Sequence, residues 1–168
     1  MTSATDLLRG GLDRVREGVH RVLDGLPEAH LTRAPAPDAN TIAWLIWHLT
    51  RVQDDHLADA AGTSQLWTSE WADRFDLGLP VGATGYDASP AEVAAVVVSA
   101  DLLRDYHDAV HAQSHAWVGT LSEQDLERVV DEDWDPPVTL AVRLVSVLED
   151  DLQHVGQAAY VRGLLESG

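Results

Sequence analysis

The chain has no cysteine and no lysine among its 168 residues, and only one methionine and one phenylalanine. Without thiols there can be no disulfide, no zinc–thiolate site and no cysteine nucleophile. Any metal would have to be held by histidine and carboxylate. The basic residues are all arginine, 11 of them against 28 acidic residues, for a net charge of −17. Phosphate backbones are bound largely through Lys and Arg, so this surface argues against a nucleic-acid partner. No run of about 18 apolar residues is present, so no membrane span is expected. The opening "MTSATDLLRG" lacks a basic segment followed by an apolar one, so it does not read as a signal peptide, and a cytoplasmic protein is the expectation.

What the sequence does have is helical periodicity over a single domain, residues 1–168. Leu8, Leu12, Val15, Val19, Val22 and Leu26 form one stripe, with Ser3 and Asp6 spaced as a capping box. This predicts a first helix over about 3–26. "TRAPAPDAN" interrupts, and a second helix is expected over about 40–61. Residues 62–88 read as a long irregular connection, of the length that functional loops have. "ASPAEV" has the signals of a helix start at Ser89, and a third helix is expected to about Gly119. "SEQD" opens a short helix near 122, "DWDPPVT" reads as a turn, and a fourth helix is expected over about 139–165. No segment alternates as a strand would. The fold expected is all-α, a four-helix bundle with a long loop between helices two and three.

Polar residues on inward faces narrow the function. At about 100° per residue, His154 falls on the line of Val147, Val161 and Leu165, with Asp150 and Gln157 to one side. Arg143 lies on that stripe near the helix start, and Asp151 on its opposite flank. On the second helix, "NTIAWLIWHLTRVQDDHL", His48 shares its face with Trp44, Leu45 and Val52. A buried ionisable group without a partner costs several kcal/mol, so these residues call for partners. His48, Asp150 and His154 together would make a two-histidine, one-carboxylate set suited to Zn²⁺, Ni²⁺, Fe²⁺ or Mn²⁺. A buried hydrogen-bond network is the alternative. His107, His111 and His115 form an i, i+4 row on the third helix; His107 faces the core and the row otherwise reads as a solvated or loosely packed face. Asp55 and His56 read as structural partners, and "DEDWD" as a solvated turn. Trp67 and Trp71 are either core or the walls of a pocket.

"NTIAWLIWHLTRVQDDHL" followed by "DDLQHVGQAAYVRGLL" resembles the DinB/YfiT-like superfamily of metalloenzymes, and within it the mycothiol-dependent transferases. The resemblance covers essentially the whole chain. It implies a divalent metal, usually Zn²⁺ or Ni²⁺, bound by a histidine of the second helix and an HxxxHxxQ motif on the fourth. His48, His154 and Gln157 match; Asp150 stands where the motif has its first histidine. Such enzymes use the metal to activate a low-molecular-weight thiol against an electrophile, and with no cysteine here the thiol would be a cosubstrate. The arginine-only composition fits GC-rich coding and an actinobacterial source, where mycothiol is the expected thiol. Family likeness also implies a homodimer. The expectation is therefore a metal-dependent thiol S-transferase, with His48, Asp150 and His154 on the metal, Gln157 orienting a ligand, and Arg143 or Arg162 meeting a carboxylate. A metal-dependent hydrolase in the same site, or a non-catalytic dimeric binding protein with a degenerate site, are the alternatives.

Overall fold

The computed structural model describes residues 2–167. Helix α1 (Ala4–Leu23) starts where the sequence signals it: the Ser3 hydroxyl accepts from the Asp6 N–H while Asp6 accepts from the Ser3 N–H. A single turn, α2 (Glu28–Leu31), follows. Helix α3 (Ile42–Ala61) begins with Thr41 accepting from the Trp44 N–H, and stops at Gly62, whose φ of 67° suits a residue without a Cβ. Next come a π-helical turn (Trp67–Trp71), the short α4 (Ala72–Phe75), α5 (Pro90–Ala95) and α6 (Ala100–Val118). A turn of helix, α7 (Glu123–Leu126), leads into a small hairpin, β1 (Val129–Asp131) and β2 (Val138–Thr139). The chain ends with α8 (Leu140–Ser167).

Four long helices make the bundle. α3 packs on α8 and α6, and α1 packs on the same two, so α6 and α8 each lie between α1 and α3. α3 is buried nearly all round, as its apolar sequence demands. Arginines close two helix ends: Arg128 donates to the Ala60 carbonyl at 2.7 Å, and Arg162 to the carbonyls of Arg21, Val22 and Asp24. Arg162 is thus a C-terminal cap for α1, where a cation also complements the helix dipole.

Four expectations are corrected. The third helix is broken: Val96, Val97 and Val98 interrupt it and Ser99 caps a new start by accepting from the Leu102 N–H. Three consecutive β-branched residues hold helix poorly, and a second serine cap resolves the competition. β1 and β2 pair antiparallel where only a turn was expected. The 62–88 connection contains a π-turn and α4, and its tryptophans are core. Trp67 and Trp71 pack with Phe75 against Tyr106, and the Arg51 guanidinium lies over Trp67. Finally, the buried line of α8 runs through Leu144, Val147, Asp151, Val155 and Ala158, so His154 sits on its flank rather than its centre.

Asp54 ties the connection to α3. Its Oδ1 accepts from the Leu66 N–H, and its Oδ2 from the Trp67 N–H and the Tyr106 hydroxyl. Two free N–H groups at the start of the π-turn are thereby satisfied.

Candidate metal centre

Two helices and one loop build the centre. α3 supplies His48, which is buried; α8 supplies Asp150 and His154, one turn apart and half-buried. The three residues offer ligand atoms that all lie within 4.8 Å of one another. They are the only such group of three or more histidine and acidic residues among the described residues.

The loop between α4 and α5 fixes the ring of His48. His48 Nδ1 lies 2.6 Å from the Thr84 carbonyl oxygen. A carbonyl can only accept, so Nδ1 carries the proton and Nε2 presents a lone pair. The loop approaches so closely that a Cβ on Gly85 would come within 2.5 Å of that nitrogen, and Gly85 has a φ of 103°. Only glycine fits there without strain. Arg51 and Trp67 hold the same loop by donating to the carbonyls of Ala83 and Val81. Trp44 stacks on His48, with centroids 4.7 Å apart.

His154 is oriented in the same way. Its Nδ1 donates to Gln157 Oε1 at 2.8 Å, leaving Nε2 toward Asp150 Oδ1 at 3.5 Å. The imidazoles of His48 and His154 lie 4.7 Å apart, edge to face. An acceptor on the far nitrogen of each ring is the arrangement that orients metal-ligating histidines and raises their basicity. The donor set fits a divalent cation on one further observation: Asp150 Oδ2 is buried with no hydrogen-bond partner among the described residues.

The electrostatics agree. Burial lowers the pKa of His48, with the neighbouring His154 adding to that effect, so the ring is neutral and ready to ligate. The hydrogen bond to Asp150 raises that of His154 against the opposing effect of burial. The proton that Asp150 favours on His154 is the one a cation would displace. Asp151 is different. It is fully buried, both its oxygens lack partners among the described residues, and burial followed by the charge of Asp150 pushes its pKa well above the carboxylate range. It is a buried carboxylic acid outside the cluster.

Asp150 also opens onto a cavity of about 420 Å³ lined by Tyr86, His56, Arg143, Asp131 and Trp134. Arg143 is already engaged there, with Asp131 at 2.9 Å and His56 at 2.6 Å. Trp134, part of the expected solvated turn, is exposed yet walls this cavity. Tyr86 gave no signal in the sequence: it belongs to the long connection, and only the grip of α3 on that loop brings it to the site.

The histidine row of α6 is not a solvated face. His107 is fully buried and meets the Thr50 hydroxyl; His111 pairs with Asp13 at 2.9 Å, and His115 lies 3.2 Å from Arg9 Nε. These contacts join α6 to α3 and α1.

A helical bundle with an inter-helical set of two histidines and one carboxylate defines the class. The family model described as mycothiol S-transferase matches residues 7–167, and the chain belongs to that family. A crystal structure of a conserved protein from Enterococcus faecalis is 34% identical, covers 100% of both chains and superposes with a TM-score of 0.93. No curated protein matches. Among the described residues no helix is long and apolar enough to cross a membrane.

Proposed function

We propose that this protein is a divalent-metal-dependent S-transferase that joins a low-molecular-weight thiol, mycothiol, to a small electrophile. The observation that carries the reading is the convergence of His48, Asp150 and His154, within 4.8 Å, in a chain of the mycothiol S-transferase family. These three side chains would hold the cation, with Zn²⁺ or Ni²⁺ suiting two imidazoles and a carboxylate. Bound there, a divalent cation lowers the pKa of a coordinated thiol, so that thiolate is available at neutral pH.

The chain's own residues do the rest. Thr84 and Gln157 keep both imidazoles oriented with one nitrogen free. Trp44 and Val52 wall the buried side, while the adjoining cavity gives room for the electrophile. Asp150 keeps the site complete in place of a histidine and brings a negative charge, which offsets part of a cation's charge. A homodimer belongs to the same proposal: Val145 and Leu152, two turns apart on one face of α8, are exposed apolar residues that a second copy would cover.

The test is product analysis. Protein prepared without an affinity tag and loaded with Zn²⁺ or Ni²⁺ is incubated with mycothiol and an electrophile, and the S-conjugate is followed by mass spectrometry. Conjugate formation that needs both metal and thiol is expected. Turnover of the electrophile at the same rate without thiol would sink the transferase reading in favour of hydrolysis.

A further inference from the structure

One wall of the cavity beside Asp150 has no part in holding a metal. Asp131, Arg143, His56 and Tyr86 run along it as a chain of hydrogen bonds, and the chain has a direction. Arg143 can only donate. Its Nη2 donates to Asp131 Oδ2 at 2.9 Å and its Nη1 to His56 Nδ1 at 2.6 Å. The accepting Nδ1 of His56 is therefore unprotonated, and the ring proton is on Nε2. That nitrogen lies 3.4 Å from the Tyr86 oxygen and donates to it. The Tyr86 O–H is left with no acceptor among the described residues. Tyr86 is exposed, its ring stands between His48, at 5.4 Å, and His56, at 6.3 Å, and it lines the cavity onto which Asp150 opens.

We propose that the Tyr86 hydroxyl donates a hydrogen bond to the electrophile's oxygen, and that the site takes apolar electrophiles whose oxygen receives the displaced electron pair, epoxides and α,β-unsaturated carbonyls. This rests on the S-transfer reading and names its substrate class. With an epoxide, the thiolate sulfur forms a bond to carbon as the C–O bond breaks, its electron pair going to oxygen. The thiol's proton is released to water when the thiolate forms, and the oxygen takes one proton back from water, so thiol and epoxide add without loss of atoms. Charge develops on oxygen only during this step, which is when a fixed donor contributes most. An alkyl halide expels halide instead and has no such oxygen. Trp134, Val138 and Val142 give the cavity an apolar side for the carbon body. His56, Arg143 and Asp131 are positioning residues that set the direction of the Tyr86 proton.

Styrene oxide and benzyl chloride share a phenyl ring and differ in the leaving atom, so they separate the roles. Tyr86→Phe is expected to lower kcat with styrene oxide about 100-fold, the cost of one donor to a developing oxyanion, and to leave benzyl chloride within about twofold. Arg143→Gln, which cannot hold Asp131 and His56 together, should lower kcat for the epoxide with KM unchanged. Acetophenone, an unreactive ketone of the same shape, should bind Tyr86→Phe about tenfold more weakly than wild type in calorimetry. Equal losses for the two electrophiles, or no loss for the epoxide, would overturn the proposal. If the wild type conjugates neither electrophile, the S-transfer reading fails and acetophenone alone decides. Wild type that does not bind it, or binds it as Tyr86→Phe does, overturns the assignment.

Discussion

Two groups of histidines occupy this bundle, and they differ in what becomes of their ring nitrogens. Between α3 and α8, His48 and His154 each spend one nitrogen on an acceptor and turn the other toward Asp150. Between α6 and α1, the nitrogens go to bundle partners. His20 and Arg16 both reach Asp108, His111 reaches Asp13, and His115 reaches Arg9. Three histidines at i+4 spacing look more like a metal motif than one histidine on each of two helices. The facing helix decides. α1 takes up His111 and His115 and Thr50 of α3 meets His107 Nδ1, so the row's nitrogens do not converge, whereas α3 and α8 bring two ring nitrogens and an orphaned carboxylate oxygen together.

The contrast can be broken by substitution. His48→Ala or His154→Ala is expected to remove divalent-ion binding in calorimetric titration, a loss of at least about 100-fold, beyond what an outer partner costs. His111→Ala and His115→Ala should titrate as wild type does. Comparable losses in both groups would erase the distinction. Next in size is Asp54→Ala, which leaves Arg51 buried without its partner and frees two N–H groups of the π-turn. Urea unfolding should report a loss of about 3 kcal/mol.

His107 sharpens the comparison through pH. Burial, with the nearby His111 adding to it, lowers its pKa from 6.5 to about 3. The folded state therefore refuses a proton that the unfolded chain accepts below 6.5. Its contribution is present above 6.5 and is lost as pH falls toward 3, at about 1.4 kcal/mol per pH unit. The urea midpoint of wild type should fall across that window more steeply than that of His107→Gln; parallel curves would contradict the assignment. The smallest effect belongs to the loop. Gly85→Ala presses a methyl group on His48 Nδ1 and should weaken metal binding about tenfold while leaving the helical content unchanged by circular dichroism.

The long helices were legible because caps or apolar spacing marked them, as at Ser3–Asp6. The break at residues 96–99 was written in a valine run and in Ser99, but continuous apolar spacing hid it. The hairpin β1–β2 is too short for alternation to register. On α8, the line through Val147, Val161 and Leu165 omits Leu144, Asp151, Val155 and Ala158, which rotate the buried centre by roughly 40°. That rotation puts His154 on the flank of the buried line, facing Asp150 and His48. His48, Asp150, His154 and Gln157 could be picked out because each sits on a regular helix. Thr84, Gly85 and Tyr86 could not, because their places depend on how α3 holds a loop some 30 residues away in sequence.

The central claim is that His48, Asp150 and His154 together hold one divalent ion. X-ray absorption of the untagged, Zn²⁺-loaded protein tests it most directly. The account predicts one ion per chain, with two imidazole nitrogens and a carboxylate oxygen at about 2.0–2.2 Å and open positions filled by solvent. The imidazole signal should disappear in the His48→Ala, His154→Ala double variant. One imidazole or none in the wild type, or a spectrum unchanged in the double variant, would contradict it.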